Sequence, residues 1–195
     1  MNTKNIARTG LLICLLYFIS VVLLILFSNN ITILFMEIIT MLSGIYMVLL
    51  IISLPFDNNS KCNICKLSAF IFVLSCMLLT NSIHWINIIV IEPLIKNGIN
   101  MPEYFQIGSW PSFIMAIDYL GWGLFMGLAF IFSSFNLKSS SNIKWILLVN
   151  GVLCLFGFFG VIINENLWYI APLGYGIGTA IICIKLLMIK NEKLI

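Results

Sequence analysis

Three ionisable side chains lie deep inside long apolar stretches of this chain: Glu37, His84 and Asp118. Carboxylates and an imidazole together can hold a cation, pass a proton or orient a bound molecule. Each lies about six or seven residues from one end of its stretch, which for a helix is a depth of about 9–11 Å. The three groups are therefore predicted to form one polar layer.

The only histidine, His84, belongs to a polar stripe within the stretch that contains it. Thr80, Asn81, His84 and Asn87 recur at helical spacing, so they share one face. Such a stripe would be costly against lipid and should point inward. Two tryptophans near the layer are predicted to form aromatic walls. The candidate ligand-binding residues are Glu37, Asn81, His84, Trp85, Asn87, Asp118 and Trp122.

Besides ligand binding, two interpretations of this layer remain open. Polar side chains also hold membrane helices together through interhelical hydrogen bonds, and a histidine beside a carboxylate could instead transfer protons in an enzyme. Ser112, His84 and Asp118 contain the residue types of a catalytic triad, but no nucleophile-elbow pattern accompanies them. No catalytic residue, cofactor or metal ligand is therefore assigned, and a non-enzymatic role is preferred.

The amino-acid composition predicts the kind of secondary structure that carries these polar side chains. Hydrophobic residues make up 62% of the 195 positions and charged residues only 9%. This balance excludes an ordinary soluble domain and gives no basis for nucleic-acid binding. It predicts an all-α polytopic membrane bundle, a single transmembrane domain over residues 1–195.

Stretches of about 20 apolar residues can cross a bilayer as helices. Six are predicted, at about 10–28, 31–54, 67–91, 111–135, 144–163 and 167–189.

The distribution of lysine and arginine predicts the orientation. Nine of the ten basic residues fall on the side of the two termini, and only Lys96 falls on the other. Since positive charge favours the cytoplasmic side, both termini are predicted to be cytoplasmic, in a multi-pass protein of the cell membrane. The first stretch exceeds the apolar core of a cleavable signal peptide, which predicts a retained span.

Two connections carry further signals. The outer connector, residues 92–110, contains Pro93 and Pro102 and is predicted to hold a short helix or re-entrant piece over the mouth of the bundle, or to be a plain amphipathic link. Cys62 and Cys65 form a C-x-x-C that is similar to membrane thiol oxidases. However, the predicted cytoplasmic location is reducing, and no second cysteine pair lies in the outer connector. Redox chemistry there is therefore not favoured.

Two stretches repeat a Leu-Gly-aromatic-Gly pattern, at 120–123 and 173–176, and each also contains GxxxG. Small residues at this spacing let helices approach closely. These faces are predicted to pack inside the bundle or against another chain. The predicted helix-packing residues are Gly121, Gly123, Gly127, Gly174, Gly176 and Gly178.

The segment AIDYLGWGLFMGLAF at 116–130, followed by KWILLVNGVLCLFGFFG at 144–160, resembles an uncharacterised group of small six-span membrane proteins of bacteria and archaea. The resemblance covers about the C-terminal half of the chain. It implies the fold and the presence of Asp118, and it implies no activity. The size and span number are also similar to the substrate-binding subunits of energy-coupling-factor vitamin importers, but their Ala-x-x-x-Ala face is absent from the first span.

The preferred hypothesis is a bundle that binds or passes a small molecule, lipid or ion through the polar layer. The first alternative is a small intramembrane enzyme that uses His84 and a carboxylate for proton transfer. The second is an accessory or immunity-type protein that binds a membrane partner, or a second copy of itself, through its GxxxG faces.

Overall fold

The computed structural model describes residues 2–56, 63–106, 111–138 and 141–188. Six helices there are long and apolar enough to cross a membrane, and no strand occurs in these ranges. The all-α, six-helix prediction is therefore confirmed. The helices are α1 (Thr3–Leu26), α2 (Asn30–Ser53), α3 (Asn63–Lys96), α4 (Phe113–Phe135), α5 (Asn142–Gly160) and α6 (Glu165–Met188).

The six helices form a closed ring in which each contacts the next along the chain, and α6 returns to contact α1. Half of the apolar window of α2 and of α4 is buried, against 11% for α1. The first helix therefore exposes most of its apolar surface, whereas α2 and α4 supply much of the interior. Polar side chains placed on the inward faces of α2, α3 and α4 are removed from lipid.

The third helix is longer than the sequence predicts, because it continues through Pro93 to Lys96. Proline lacks an N–H and clashes with the carbonyl four residues earlier, which disrupts regular α-helical bonding. The turn before it, Asn87–Ile91, is π-helical, and the helix resumes at Glu92. It then ends at Lys96, and Gly98, just after the cap residue Asn97, has a φ of 76° that suits the left-handed residue after a helix.

The outer connector is thus shorter than predicted. Residues 92–96 extend α3, and the described remainder contains one 3-10 turn, Glu103–Phe105. No re-entrant piece occurs in the part of the connector that is described. Residues 107–110, including Trp110, lie outside the described residues.

The two Leu-Gly-aromatic-Gly patterns fall on π-helical turns. Leu120–Phe125 is π-helical within α4, and Leu173–Ile177 is π-helical within α6. Such turns insert an extra residue into the helical repeat and are frequent at functional sites. In this fold they bring the aromatic residues of the two patterns, Trp122 and Tyr175, into a tilted ring contact with centroids 4.8 Å apart.

The C-x-x-C is only half described. Cys65, near the start of α3, is disulfide-bonded, which differs from the expectation of a reduced thiol. Cys62 lies outside the described residues. The free cysteines in the described ranges are Cys14, Cys76, Cys154 and Cys183, all within the membrane helices.

Candidate functional site

Glu37 lies at the centre of a buried polar cluster, which we define as Glu37, His84, Asn87 and Asp118. Its Oε1 accepts a hydrogen bond from Nδ2 of Asn87 at 2.9 Å, and its Oε2 contacts Nδ1 of His84. Asn87 and His84 come from one face of α3, three residues apart, while Glu37 projects from α2. Glu37 is only 4% exposed, so both carboxylate oxygens are satisfied inside the bundle.

The imidazole of His84 joins the two carboxylates. While Nδ1 contacts Glu37, Nε2 lies 3.5 Å from Oδ1 of Asp118 on α4. That distance is longer than an ordinary hydrogen bond. Three helices thus place their ionisable groups in one row, Glu37–His84–Asp118, as the comparison of depths along the sequence predicts.

The Asp118 end of this row is incompletely bonded. His84 Nε2 and Asp118 Oδ1 are both buried and have no hydrogen-bond partner among the described residues. The side chain of Asp118 is 16% exposed, against 5% for the side chain of His84. Burial of an unbonded polar atom costs about 1–3 kcal/mol. The cluster therefore combines a complete end at Glu37 with an open end at Asp118.

An apolar groove with a volume of about 330 Å³ lies between α1, α2, α4 and α6. Aromatic residues from each of these helices line it. They are Tyr17 and Phe18 from α1, Tyr46 from α2, Trp122 from α4 and Tyr175 from α6. Phe18, Leu173 and Ile177 at its edge are strongly exposed, which places its opening on the lipid-facing surface between α1 and α6.

The groove and the polar cluster are neighbours. Trp122 lines the groove and lies one helical turn after Asp118 on α4. Tyr17 and Tyr175 also line the groove, and both lie within electrostatic range of the Asp118 carboxylate. Neither tyrosine hydroxyl makes a hydrogen bond to another described residue. The groove wall nearest Asp118 is therefore aromatic, and Asp118 itself is not among the residues that line the groove.

Two predicted site residues lie away from this surface. Trp85 is 54% exposed on the outside of α3, so its assignment as an aromatic wall is wrong. It follows His84 directly, and a one-residue step turns a helical side chain by about 100° away from the inward face. Asn81 does point inward, but its Oδ1 packs against Gly44 of α2 and has no hydrogen-bond partner among the described residues.

The glycine faces pack within the bundle. Gly123 and Gly127 of α4 approach Phe158 and Leu155 of α5, and Gly121 approaches Thr80 of α3. Gly174 and Gly178 of α6 both approach Asn150 of α5. Both GxxxG faces are thus occupied by α5. This packing favours the first of the two interpretations made from sequence, close packing inside the bundle, over packing against another chain.

Gly176 is the exception among the six predicted packing glycines. No atom lies within 4 Å of the position that a Cβ would occupy there. Gly176 lines the groove instead, because the π-helical turn directs it away from α5. Its prediction as a helix-packing residue is wrong.

The described residues do not form the catalytic triad considered from sequence. Ser112 caps α4 and donates a hydrogen bond to the carbonyl of Gln106 at 2.8 Å, while neither ring nitrogen of His84 forms a hydrogen bond with it. No group of three His, Cys, Asp or Glu side chains in the described ranges could hold a metal ion. Within the cluster, His84 Nε2 and Asp118 Oδ1 are the buried atoms that have no hydrogen-bond partner among the described residues.

Sequence reasoning missed the tyrosines of the groove. Tyr17 lies in a helix without any deep charge, and Tyr46 lies nine residues after Glu37 with no ionisable side chain nearer to it along the helix, so neither has an ionisable neighbour that would mark it. Tyr175 did have a signal, since it occupies the same place in LGYG that Trp122 occupies in LGWG. Treating the two aromatic positions as equivalent would have found it.

Comparison of the chain with protein-family models, with curated proteins and with solved structures finds no match.

Proposed function

We propose that this integral membrane protein binds a small molecule, lipid or ion through the polar cluster and the groove beside it. The observation that carries the proposal is the open end of the cluster. Two buried polar atoms, His84 Nε2 and Asp118 Oδ1, lie 3.5 Å from each other and have no hydrogen-bond partner among the described residues, beside a groove of about 330 Å³.

A purely structural cluster would be expected to have its hydrogen bonds complete. The bonds of Glu37 fit that expectation, because both of its oxygens are used. Those of Asp118 do not, and an unbonded buried polar atom weakens rather than strengthens a membrane bundle. Ionisable groups inside membrane segments commonly mark binding sites and ion or proton pathways. A ligand-binding role explains both the complete hydrogen bonds of Glu37 and the missing hydrogen bond of Asp118.

The location proposed for the protein is a cell membrane, with both termini in the cytoplasm. The excess of lysine and arginine on the side of the termini supports this orientation. The polar cluster then lies in the outer half of the bilayer, and the groove extends from it past the middle of the bundle. The likeness of residues 116–130 and 144–160 to small six-span membrane proteins supports membership of that group.

A second candidate function is proton transfer in an intramembrane enzyme. The row Glu37–His84–Asp118 favours it, because a histidine between two carboxylates can accept a proton on one side and release it on the other. Turnover of a membrane-dissolved substrate by the wild type, lost in His84→Gln, would establish this role. Stoichiometric binding without turnover would establish the first.

The test of the proposed function is a ligand screen by thermal unfolding in detergent, run in parallel on the wild type and on Gly176→Phe. The phenylalanine enters open space in the groove and should exclude a ligand without disturbing helix packing. A ligand at 100 times its Kd stabilises a protein by about 2.7 kcal/mol. Compounds or lipids that stabilise the wild type alone support the site; equal responses of the two proteins throughout would refute it.

A further inference from the structure

The charge of the polar cluster is unbalanced. It contains two carboxylates and one imidazole, and the only ion pairs in the described ranges are those of His84 with Glu37 and with Asp118. With both carboxylates ionised, even a charged imidazole leaves one negative charge in excess. Excess charge in a low-dielectric interior is costly until a proton or a cation neutralises it.

The excess charge is best exposed at Asp118. Glu37 already accepts from Asn87 and contacts His84, whereas Oδ1 of Asp118 has no hydrogen-bond partner among the described residues. The side chain of Asp118 is also about three times as exposed as that of Glu37, at 16% against 5%. A positively charged ligand group would therefore find its counter-ion at Asp118.

The groove next to Asp118 is suited to an organic cation. Tyr17, Trp122 and Tyr175 line it, and the faces of aromatic rings attract positive charge, most strongly when the cation is desolvated. The rest of the lining is mainly aliphatic and opens towards lipid. A hydrated inorganic ion gains little from such walls, while a molecule with an apolar body gains from their full area.

From this charge complementarity we infer that the ligand is a lipophilic organic cation, an amine or a quaternary onium group attached to an apolar body. Asp118 is its counter-ion, and the three aromatic residues surround its charged group. The inference rests on the proposed function, since it names the ligand class for the same site. It also assigns a path of entry, laterally from the bilayer between α1 and α6.

Two ions of matched shape and opposite charge provide the test. Tetraphenylphosphonium and tetraphenylborate are each measured by equilibrium dialysis against the protein in a neutral detergent. Specific binding is the difference between the wild type and Gly176→Phe, which removes partition into the micelle from the comparison. Asp118→Asn keeps the shape of the side chain and removes its charge. Glu103→Gln, at an exposed position of the connector, controls for general loss of negative charge.

The expected result is specific binding of tetraphenylphosphonium at least about tenfold tighter than that of tetraphenylborate. Asp118→Asn should weaken the phosphonium by about tenfold or more, roughly the effect of losing one charge-assisted contact. Glu103→Gln should leave it unchanged.

Three results would overturn the inference. If tetraphenylborate binds specifically and as tightly as the phosphonium, the groove binds ligands but does not select cations. The proposed function would then stand, and the assignment of a cationic ligand would be wrong. Equal weakening by Asp118→Asn and Glu103→Gln would assign the selectivity to general charge. Absence of specific binding for both ions would remove the lipophilic cation as the ligand, while the ligand screen on the wild type and Gly176→Phe decides the proposed function separately.

Discussion

The carboxylates of Glu37 and Asp118 differ in how completely they are hydrogen-bonded. This difference distinguishes a residue that stabilises the bundle from a candidate ligand-binding residue. Glu37 accepts from Asn87 and contacts His84, so it joins α2 to α3. Asp118 approaches His84 from α4 at 3.5 Å and forms no hydrogen bond with it. At the scale of single residues, Glu37 is therefore expected to act mainly through stability and Asp118 mainly through binding.

Glu37→Gln should destabilise the bundle by about 1–3 kcal/mol, because the amide offers one acceptor where two are used and turns a donor towards a donor. The measurement is the free energy of unfolding in mixed micelles. Glu103→Gln is the matched control at an exposed site. A Glu37→Gln protein as stable as the control would contradict the role assigned to these bonds.

The two tryptophans near the cluster should respond differently to truncation. Trp122 is 5% exposed and packs on Tyr175, so Trp122→Ala should cost about 3–5 kcal/mol. Trp85 is 54% exposed towards lipid, so Trp85→Ala should stay within about 0.5 kcal/mol of the wild type. The same unfolding assay measures both. Similar losses for the two variants would be inconsistent with the placement of Trp85 outside the bundle.

At the scale of elements, α5 is the helix on which the C-terminal half is assembled. Gly123 and Gly127 of α4 approach Phe158 and Leu155 of α5, and Gly174 and Gly178 of α6 approach its Asn150. Close approach of this kind gains van der Waals contact that lipid cannot replace. The π-helical turns then decide which residues of α4 and α6 face α5 and which face the groove.

Gly176 and Gly178 provide a matched pair for this account. An alanine Cβ at 178 would collide with the side chain of Asn150, so Gly178→Ala should cost about 1–3 kcal/mol. An alanine Cβ at 176 meets no atom within 4 Å, so Gly176→Ala should be neutral or stabilising by up to about 1 kcal/mol through helix propensity. The reverse order in unfolding experiments would show that the π-helical turn of α6 is differently phased.

The six spans and the polar layer could be predicted from sequence because each rests on a strong local pattern. Apolar length defines a span, and an ionisable side chain within one must point inward. Trp85 shows the limit of this reasoning, since closeness to His84 in sequence does not place two side chains on one helical face. Gly176 and the extension of α3 through Pro93 depend on π-helical turns, which shift the phase of a helix without a distinct composition.

At the scale of the whole molecule, an even number of spans places the two ends of the described chain on the same side of the membrane, and charge predicts that this side is the cytoplasm. Green fluorescent protein fused after Ile195 should therefore fluoresce in a bacterial host, and alkaline phosphatase inserted after Asn100 should be active. Phosphatase activity for a fusion at the end and none for the insertion would reverse the orientation.

Within the described residues, the ring of six helices contains a groove whose aromatic wall lies next to a partly unbonded carboxylate. Membrane bundles are stable without such a site, and binding sites commonly retain polar groups at a cost in stability. The proposed role of Asp118 is therefore to bind a ligand rather than to stabilise the bundle.

The measurement that tests this claim most directly is the free energy of unfolding of Asp118→Asn in the absence of ligand, compared with the wild type in the same micelles. The variant should be as stable as the wild type or more stable, because it removes the excess negative charge, breaks no hydrogen bond and loses only the long 3.5 Å ion pair with His84. A loss of about 1 kcal/mol or more, the scale of an interhelical hydrogen bond, would contradict it and assign Asp118 to the structure of the bundle.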